Sequence, residues 1–324
     1  MSAAQTFTQE LKEFAIRHGA SLVGIGNIER FDNAPPSVHP RSILPVTRSI
    51  IALGLPQSRG ALMAIEEGTY WQAYNVDNYW YLNDVEAPRL LRQIVMYLEE
   101  RGHTAISVHN PFSHAMGQKL RLEHATGPDG IVSLRMIGVA CGLGELGHHK
   151  LLLTPEYGPR QRVFAVFTDA QLDPTPLFRG KICDGCKLCV RECEACAIGS
   201  ERSVALQVED VTYRHATLDT KACGFVHPGN APEYSPFWTG NEKPGERPGY
   251  HQGMLNRFHT LGICAGRGCL RSCLDHLEKT KRIKTEFNTP LISKPRWKVT
   301  PVKMKYQEDS GLNTAGESAA DGKS

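Results

Sequence analysis

Four cysteines fall within eleven residues: Cys183, Cys186, Cys189 and Cys193, spaced C-x2-C-x2-C-x3-C. Two-residue gaps let one loop wrap three corners of a [4Fe–4S] cube, while the fourth thiolate, at the start of a helical turn, points away to a second cube. Four more cysteines lie downstream, Cys223, Cys264, Cys269 and Cys273. Two four-ligand cubes would use all of these thiolates. The expected sets are Cys183, Cys186, Cys189 and Cys273 for one cluster, and Cys193, Cys223, Cys264 and Cys269 for the other. Zinc also binds four-cysteine sites, but a single tetrahedral ion suits two separated pairs better than one dense run. Cys141 and Cys196 are left over and read as buried thiols acting as small hydrophobes.

A reductive site also needs a proton source. The segment 70–81, YWQAYNVDNYWY, is dense in aromatics and could wall an apolar pocket. A Tyr hydroxyl beside a cation can deliver a proton, because the cation stabilises the phenolate left behind. Tyr79 and Tyr81 are the candidates, with His109 and His114 as alternative acids or substrate contacts. The glycines at 142–147 and 158 could let backbone approach a large planar ligand closely.

The elements that must position these groups are legible in outline. Residues 6–19 carry Phe7, Leu11, Phe14 and Ala15 at helical spacing, with Gly19 as a stop. Residues 88–101 read as a long helix that opens on Pro88 and ends at Gly102. Strands are expected over 21–25, 49–55, 104–108, 150–153 and 162–168. Helices and strands alternate to about residue 175, and a Cys-, Gly- and Pro-rich pattern follows. The expected organisation is an α+β layer domain over 1–175, a cluster domain over 176–280, a basic extended arm over 281–306 and a disordered tail over 307–324. Residues 279–305 hold nine Lys or Arg against one acidic residue, Glu286.

Composition narrows the class. The chain has 324 residues, 41% of them hydrophobic, with 37 Lys and Arg against 34 Asp and Glu. That is ordinary for a globular protein, and a net charge of +3 gives no reason to expect a dedicated nucleic-acid binder. No basic-then-apolar leader, twin-arginine pair or long apolar run is present. The expectation is a cytoplasmic chain without a membrane span, whose reduced thiols serve as metal ligands.

The first run of cysteines is that of the bacterial ferredoxins, although Glu194 stands where Pro is usual. The wider segment 141–173, CGLGELGHHKLLLTPEYGPRQRVFAVFTDAQLD, resembles the cobalamin-dependent reductive dehalogenases. In that family an AGLGE stretch, a TPEYGP stretch and a TD stretch precede the same cysteine run. The N-terminal half is also similar to epoxyqueuosine reductase, a cobalamin-dependent relative that modifies tRNA, over 43–56 and 97–105. The resemblance implies a nitroreductase-like α/β domain holding cobalamin, followed by a ferredoxin-like domain with two [4Fe–4S] clusters. It further implies cofactor contacts at Gly142, Leu143, Gly144, Glu145, His148, Tyr157 and Gly158, a catalytic Tyr among Tyr79 and Tyr81, and a functional Asn at Asn110. The epoxyqueuosine reductases carry an Asp in a D-x-x-P stretch where this chain reads HNPFSHA, residues 109–115. The leading expectation is therefore reductive cleavage of a carbon–halogen or similar bond in a small organic substrate, with electrons from a ferredoxin or flavodoxin. A tRNA-modifying reductase and an iron–sulfur electron-transfer protein, or reductive activator of a corrinoid protein, are the alternatives.

Overall fold

In the computed structural model the structure describes residues 3–109, 133–227, 231, 236 and 268–299. Helix α1 (Ala3–Arg17) leads into strand β1 (Leu22–Asn27), and strand β2 (Ser49–Pro56) precedes helix α2 (Arg59–Glu66). A 13-residue π-helix, Tyr74–Glu86, runs directly into helix α3 (Ala87–Glu99), which is followed by β3 (Ala105–Val108). After α4 (Leu134–Ala140) come the short strands β4 (Glu145–Leu146) and β5 (Leu152–Leu153), and then β6 (Gln161–Thr168). The remaining elements are α5 (Leu188–Arg191), the hairpin β7 (Val204–Val208) and β8 (Val211–His215), α6 (Thr220–Val226) and α7 (Cys269–Lys279).

The main sheet has the order β1-β2-β6-β3, and all its pairings are antiparallel. The fold is thus α+β, with helices covering both faces of one sheet. Alternation along β2 sorts its side chains. Ile51 and Leu53 face α1 and α3, where Leu11, Leu91, Ile94 and Leu98 are fully buried. Ile50 and Ala52 face α4, packing with Ile137, Val139 and Phe167. Continuous apolar runs such as SIIALGLP are what a strand covered on both faces requires. Burying each large side chain contributes about 1.5–3 kcal/mol.

The expected strands and the two long helices are found, with ends shifted by a few residues. The segment 70–81, dense in aromatics, carries no helical periodicity in its sequence. Most of it is helical with wide i→i+5 turns, a geometry that a 3.6-residue periodicity search misses. The β7–β8 hairpin also lacked a sequence signal. Its Val208 and Tyr213 share a core with Ile50 and Phe167, so the packing crosses residue 175. Arg30 ties these parts together. Its buried guanidinium donates to the carbonyls of Ala140 and Thr175, each at 2.8 Å, and its Nε pairs with Glu209 at 2.8 Å.

The basic stretch runs along the body through ion pairs. Lys284 meets Glu156 and Lys294 meets Glu67, both at 2.7 Å, and Arg296 meets Glu192 at 2.5 Å. Trp297 donates its indole N–H to the Ile65 carbonyl at 2.8 Å. Among the described residues no helix is long and apolar enough to cross a membrane.

Candidate metal centre and active site

The first cysteine loop is shaped by two carboxylates and two left-handed residues. Glu145, on β4, accepts the backbone N–H of Ile182 at 2.5 Å and of Cys183 at 2.6 Å. Asp184 accepts the N–H of Cys186 at 3.1 Å. Gly185 and Lys187 have φ of +81° and +57°, which curl the loop before α5 begins. The thiols of Cys183, Cys186 and Cys189 consequently line one small pocket. Helix α7 delivers Cys273 to the same pocket. One turn earlier on α7, Cys269 looks toward the other group.

Electrostatics sort the thiols in the same way. Burial pushes the Cys273 thiol well up, and so do Cys183, Cys189 and Cys186 beside it. Burial raises Cys189 to about 12, with Cys269, Cys183 and Cys186 adding to it. Cys269 is raised to about 11 by burial, then by Cys223 and Cys193, while Arg135 pulls the other way. Burial and Cys193 also raise Cys223. The two groups are thus Cys183, Cys186, Cys189 and Cys273, and Cys193, Cys223 and Cys269. They are neighbours, since Cys189 and Cys269 feel each other. Crowded buried thiols of this kind are unfavourable as free thiolates. They suit a cationic inorganic cluster that takes up their charge, so the donor sets fit iron–sulfur centres. Cys264, Asn110 and His114 lie outside the described residues.

The remaining cysteines part ways. Cys141 is fully buried at the end of α4, where burial lifts its thiol to about 12, as a small core residue should behave. Cys196 is exposed, with φ of +47°, which corrects the expectation of a buried thiol. Asp184, Cys186 and His276 each offer a donor atom within 4.8 Å of the others. His276 and Asp184 are already paired at 2.8 Å, and Arg282 lies 3.5 Å from the same carboxylate.

The residues of the GLGE stretch are packed against protein. Leu143 belongs to the core beside α4. A Cβ on Gly142 would lie 2.4 Å from the Pro176 carbonyl oxygen, and one on Gly144 only 1.9 Å from that of Leu153. These glycines allow chain to pack on chain. Gly158, with φ of +58°, closes the turn that carries Tyr157, through paired backbone bonds with Thr154. His148 and His149 lie in the wall of the first thiol pocket. His148 Nε2 bonds the Gly199 carbonyl at 2.9 Å. His149 Nδ1 accepts the Leu151 N–H at 3.2 Å, and burial pushes its pKa down to about 3, with Arg135, His148 and Arg202 adding to it.

The π-helix sets the two tyrosines apart. Asn78 anchors it to the start of α2, accepting from Ser58 N at 2.5 Å and donating to Ser58 O at 2.9 Å. Tyr79 is half-buried in the apolar cluster that contains Leu153, Ile182, Cys183 and Cys273. Tyr81 is 44% exposed. Arg162, on β6, places its guanidinium 4.6 Å from the Tyr79 ring centre and donates from Nε to the Asn78 carbonyl at 3.2 Å. His109 is exposed at the end of β3.

Arg162 and Arg135 had no motif to announce them, although Arg162 follows the TPEYGP stretch by three residues. Burial lowers the Arg135 guanidinium pKa; the thiols of Cys269 and Cys223 raise it and Arg162 lowers it further. His227, whose pKa burial lowers to about 4, senses Arg162, Arg135 and Arg271 and belongs to the same region.

An antiparallel α+β layer carrying two adjoining thiol groups and a Tyr–Arg pair is similar in fold to the reductive dehalogenases. The particular likenesses agree with that class. Tetrachloroethene reductive dehalogenase of Dehalobacter restrictus is 35% identical over 118 residues, which cover 33% of this chain and 19% of that protein. A protein of the same name from Desulfitobacterium hafniense is 42% identical over 88 residues, covering 26% and 16%. The first matches therefore span about a fifth of the curated relatives. Among solved structures, the catabolic reductive dehalogenase NpRdhA aligns over 93% of this chain and 42% of its own, with a TM-score of 0.53 and 17% identity. No family model matches the chain. These comparisons bear out the resemblance to the reductive dehalogenases.

Proposed function

We propose that this protein is a cobalamin- and iron–sulfur-dependent reductase that cleaves a carbon–halogen or similar bond of a small organic substrate. The observation that carries this reading is the placing of the Tyr79–Arg162 pair beside the thiol group that contains Cys183 and Cys273. In this reading residues 1–175 form a nitroreductase-like layer for the corrinoid, and 176–280 form a ferredoxin-like part for the clusters. Cys183, Cys186, Cys189 and Cys273 hold one [4Fe–4S] cluster. Cys193, Cys223, Cys264 and Cys269 hold the other.

The net reaction consumes two electrons and one proton, releasing halide and placing hydrogen on carbon. A bound corrinoid supplies the low-potential chemistry at that carbon. Tyr79 donates the proton through its hydroxyl. Arg162 stabilises the phenolate that remains and holds the ring through its bond to the π-helix. Electrons enter at the exposed Cys186 edge of the first cluster from a soluble carrier such as a ferredoxin or flavodoxin in the cytoplasm.

The test is anaerobic purification followed by assay for Fe, sulfide, Zn and Co, with turnover of halogenated aromatics and alkenes using a chemical reductant. Iron near eight per chain, bound corrinoid and halide release are expected. Zinc in place of iron, or clusters that never retain corrinoid, would overturn the reading.

A further inference from the structure

His149 is a buried histidine whose tautomer is fixed by its surroundings. Its Nδ1 accepts the backbone N–H of Leu151 at 3.2 Å, so in the neutral ring the proton sits on Nε2. That Nε2–H is buried and has no hydrogen-bond partner among the described residues. The ring is 3% exposed and lies in the wall of the pocket shared by Cys183, Cys186, Cys189 and Cys273. Gly147 makes room for it, because a Cβ there would lie 2.5 Å from the imidazole Cε1. Its neighbour His148 has the opposite arrangement. His148 donates from Nε2 to the Gly199 carbonyl, which leaves Nδ1 as a bare acceptor. Of the two rings, only His149 presents a donor that lacks an acceptor.

A buried donor needs an acceptor, and the thiol pocket supplies sulfur once a cluster is in place. We propose that His149 donates its Nε2–H to a sulfur atom of the cluster held by Cys183, Cys186, Cys189 and Cys273. The bond would stabilise the extra negative charge of the reduced cluster and so raise its reduction potential. His149 would then set the step in potential between the site of electron entry and the second cluster. It acts through the cluster and touches no substrate. This inference rests on the iron–sulfur reading above.

Two measurements on the anaerobically reconstituted full chain test it. Pulsed EPR of the reduced protein labelled with 15N-histidine should show a nitrogen coupling to one cluster, and His149→Phe should abolish it. An EPR-monitored redox titration should show the potential of one cluster falling in His149→Phe while the other stays put. His149→Gln, which keeps an N–H donor, should restore part of the shift. Absence of 15N coupling in the unsubstituted protein overturns the proposal even if the phenylalanine variant fails to fold. Unchanged potentials at full iron content overturn it as well. Failure of the unsubstituted chain to take up iron would instead remove the cluster reading itself, and this proposal with it.

Discussion

The guanidinium carbon of Arg162 lies 4.6 Å from the centre of the Tyr79 ring, and the same arginine bonds the carbonyl of Asn78, the residue before that tyrosine. One side chain of β6 thus supplies charge to the phenol and fixes the backbone that carries it. Tyr81, two residues further along, is exposed and has no such partner among the described residues. Tyr79→Phe should therefore lower turnover by about 10²–10⁴, the usual worth of a positioned general acid. Tyr81→Phe should leave it within a few-fold. Steady-state halide release by the two variants at matched cluster content checks this. Equal losses would remove Tyr79 from its assigned role.

Glu145 predicts a different phenotype. The sequence reading placed it among the cofactor contacts of the GLGE stretch. Its carboxylate accepts two backbone N–H groups at the mouth of the first cysteine loop. Hydrogen bonds to a charged acceptor contribute about 1.5–3 kcal/mol each. Glu145→Ala should loosen the loop, so that one cluster is lost to oxygen or chelator much faster than the other. Iron release followed optically would show a fast phase absent from the parent protein. Monophasic release at the parent rate would count against this role.

How far the sequence revealed the molecule depends on the kind of signal involved. The run of Cys183, Cys186, Cys189 and Cys193 stood out because cluster ligands come in short fixed gaps. The sheet was legible because SIIALGLP and QRVFAVFT are unbroken apolar strands. The choice between Tyr79 and Tyr81 was not, because it depends on the wide turn of the π-helix and on an arginine more than eighty residues away. The packing role of Gly142 and Gly144 was also hidden. A glycine needed against a carbonyl and one needed against a ligand look the same in sequence.

Glu66 and Arg271 form an ion pair in which both side chains are almost wholly buried, and Arg296 lies 3.3 Å from the same carboxylate. This pair joins α2 to α7, the helix that carries Cys269 and Cys273. Removing one partner of a buried pair typically costs about 3–5 kcal/mol, because the other charge is left without compensation. Arg271→Met should lower stability by about that amount. The double variant with Glu66→Gln should recover much of the loss. Chemical denaturation of the two variants and the parent measures the difference, and a double variant no better than the single one would rule out pairing as the cause.

Histidine burial predicts an acid dependence. His227 titrates at about 4 in the folded chain, held down by burial and by Arg162, Arg135 and Arg271. In the unfolded chain it titrates near 6.5. Between those values the unfolded state binds the extra proton. Its contribution to stability is therefore complete above about pH 6.5 and is lost as pH falls toward 4, with a slope of about 1.4 kcal/mol per pH unit. His227→Gln should remove one proton's worth of that slope in denaturant titrations at pH 4.5–6.5. A slope identical to the parent's would show that His227 does not stay neutral on folding.

Helix α7 gives the sharpest test of the two-cluster assignment, because Cys269 and Cys273 stand one turn apart on it and belong to different groups. Serine at either position removes a thiolate without changing the size of the side chain much. Cys273→Ser should perturb the cluster of the exposed loop, and Cys269→Ser the cluster shared with Cys193 and Cys223. The EPR spectra of the two reduced variants should therefore be complementary, each retaining the signal that the other loses. The magnetic coupling expected between adjacent clusters should vanish in both. If both substitutions erased the same signal, the two cysteines would share one centre, and the division of ligands between the cubes would have to be redrawn.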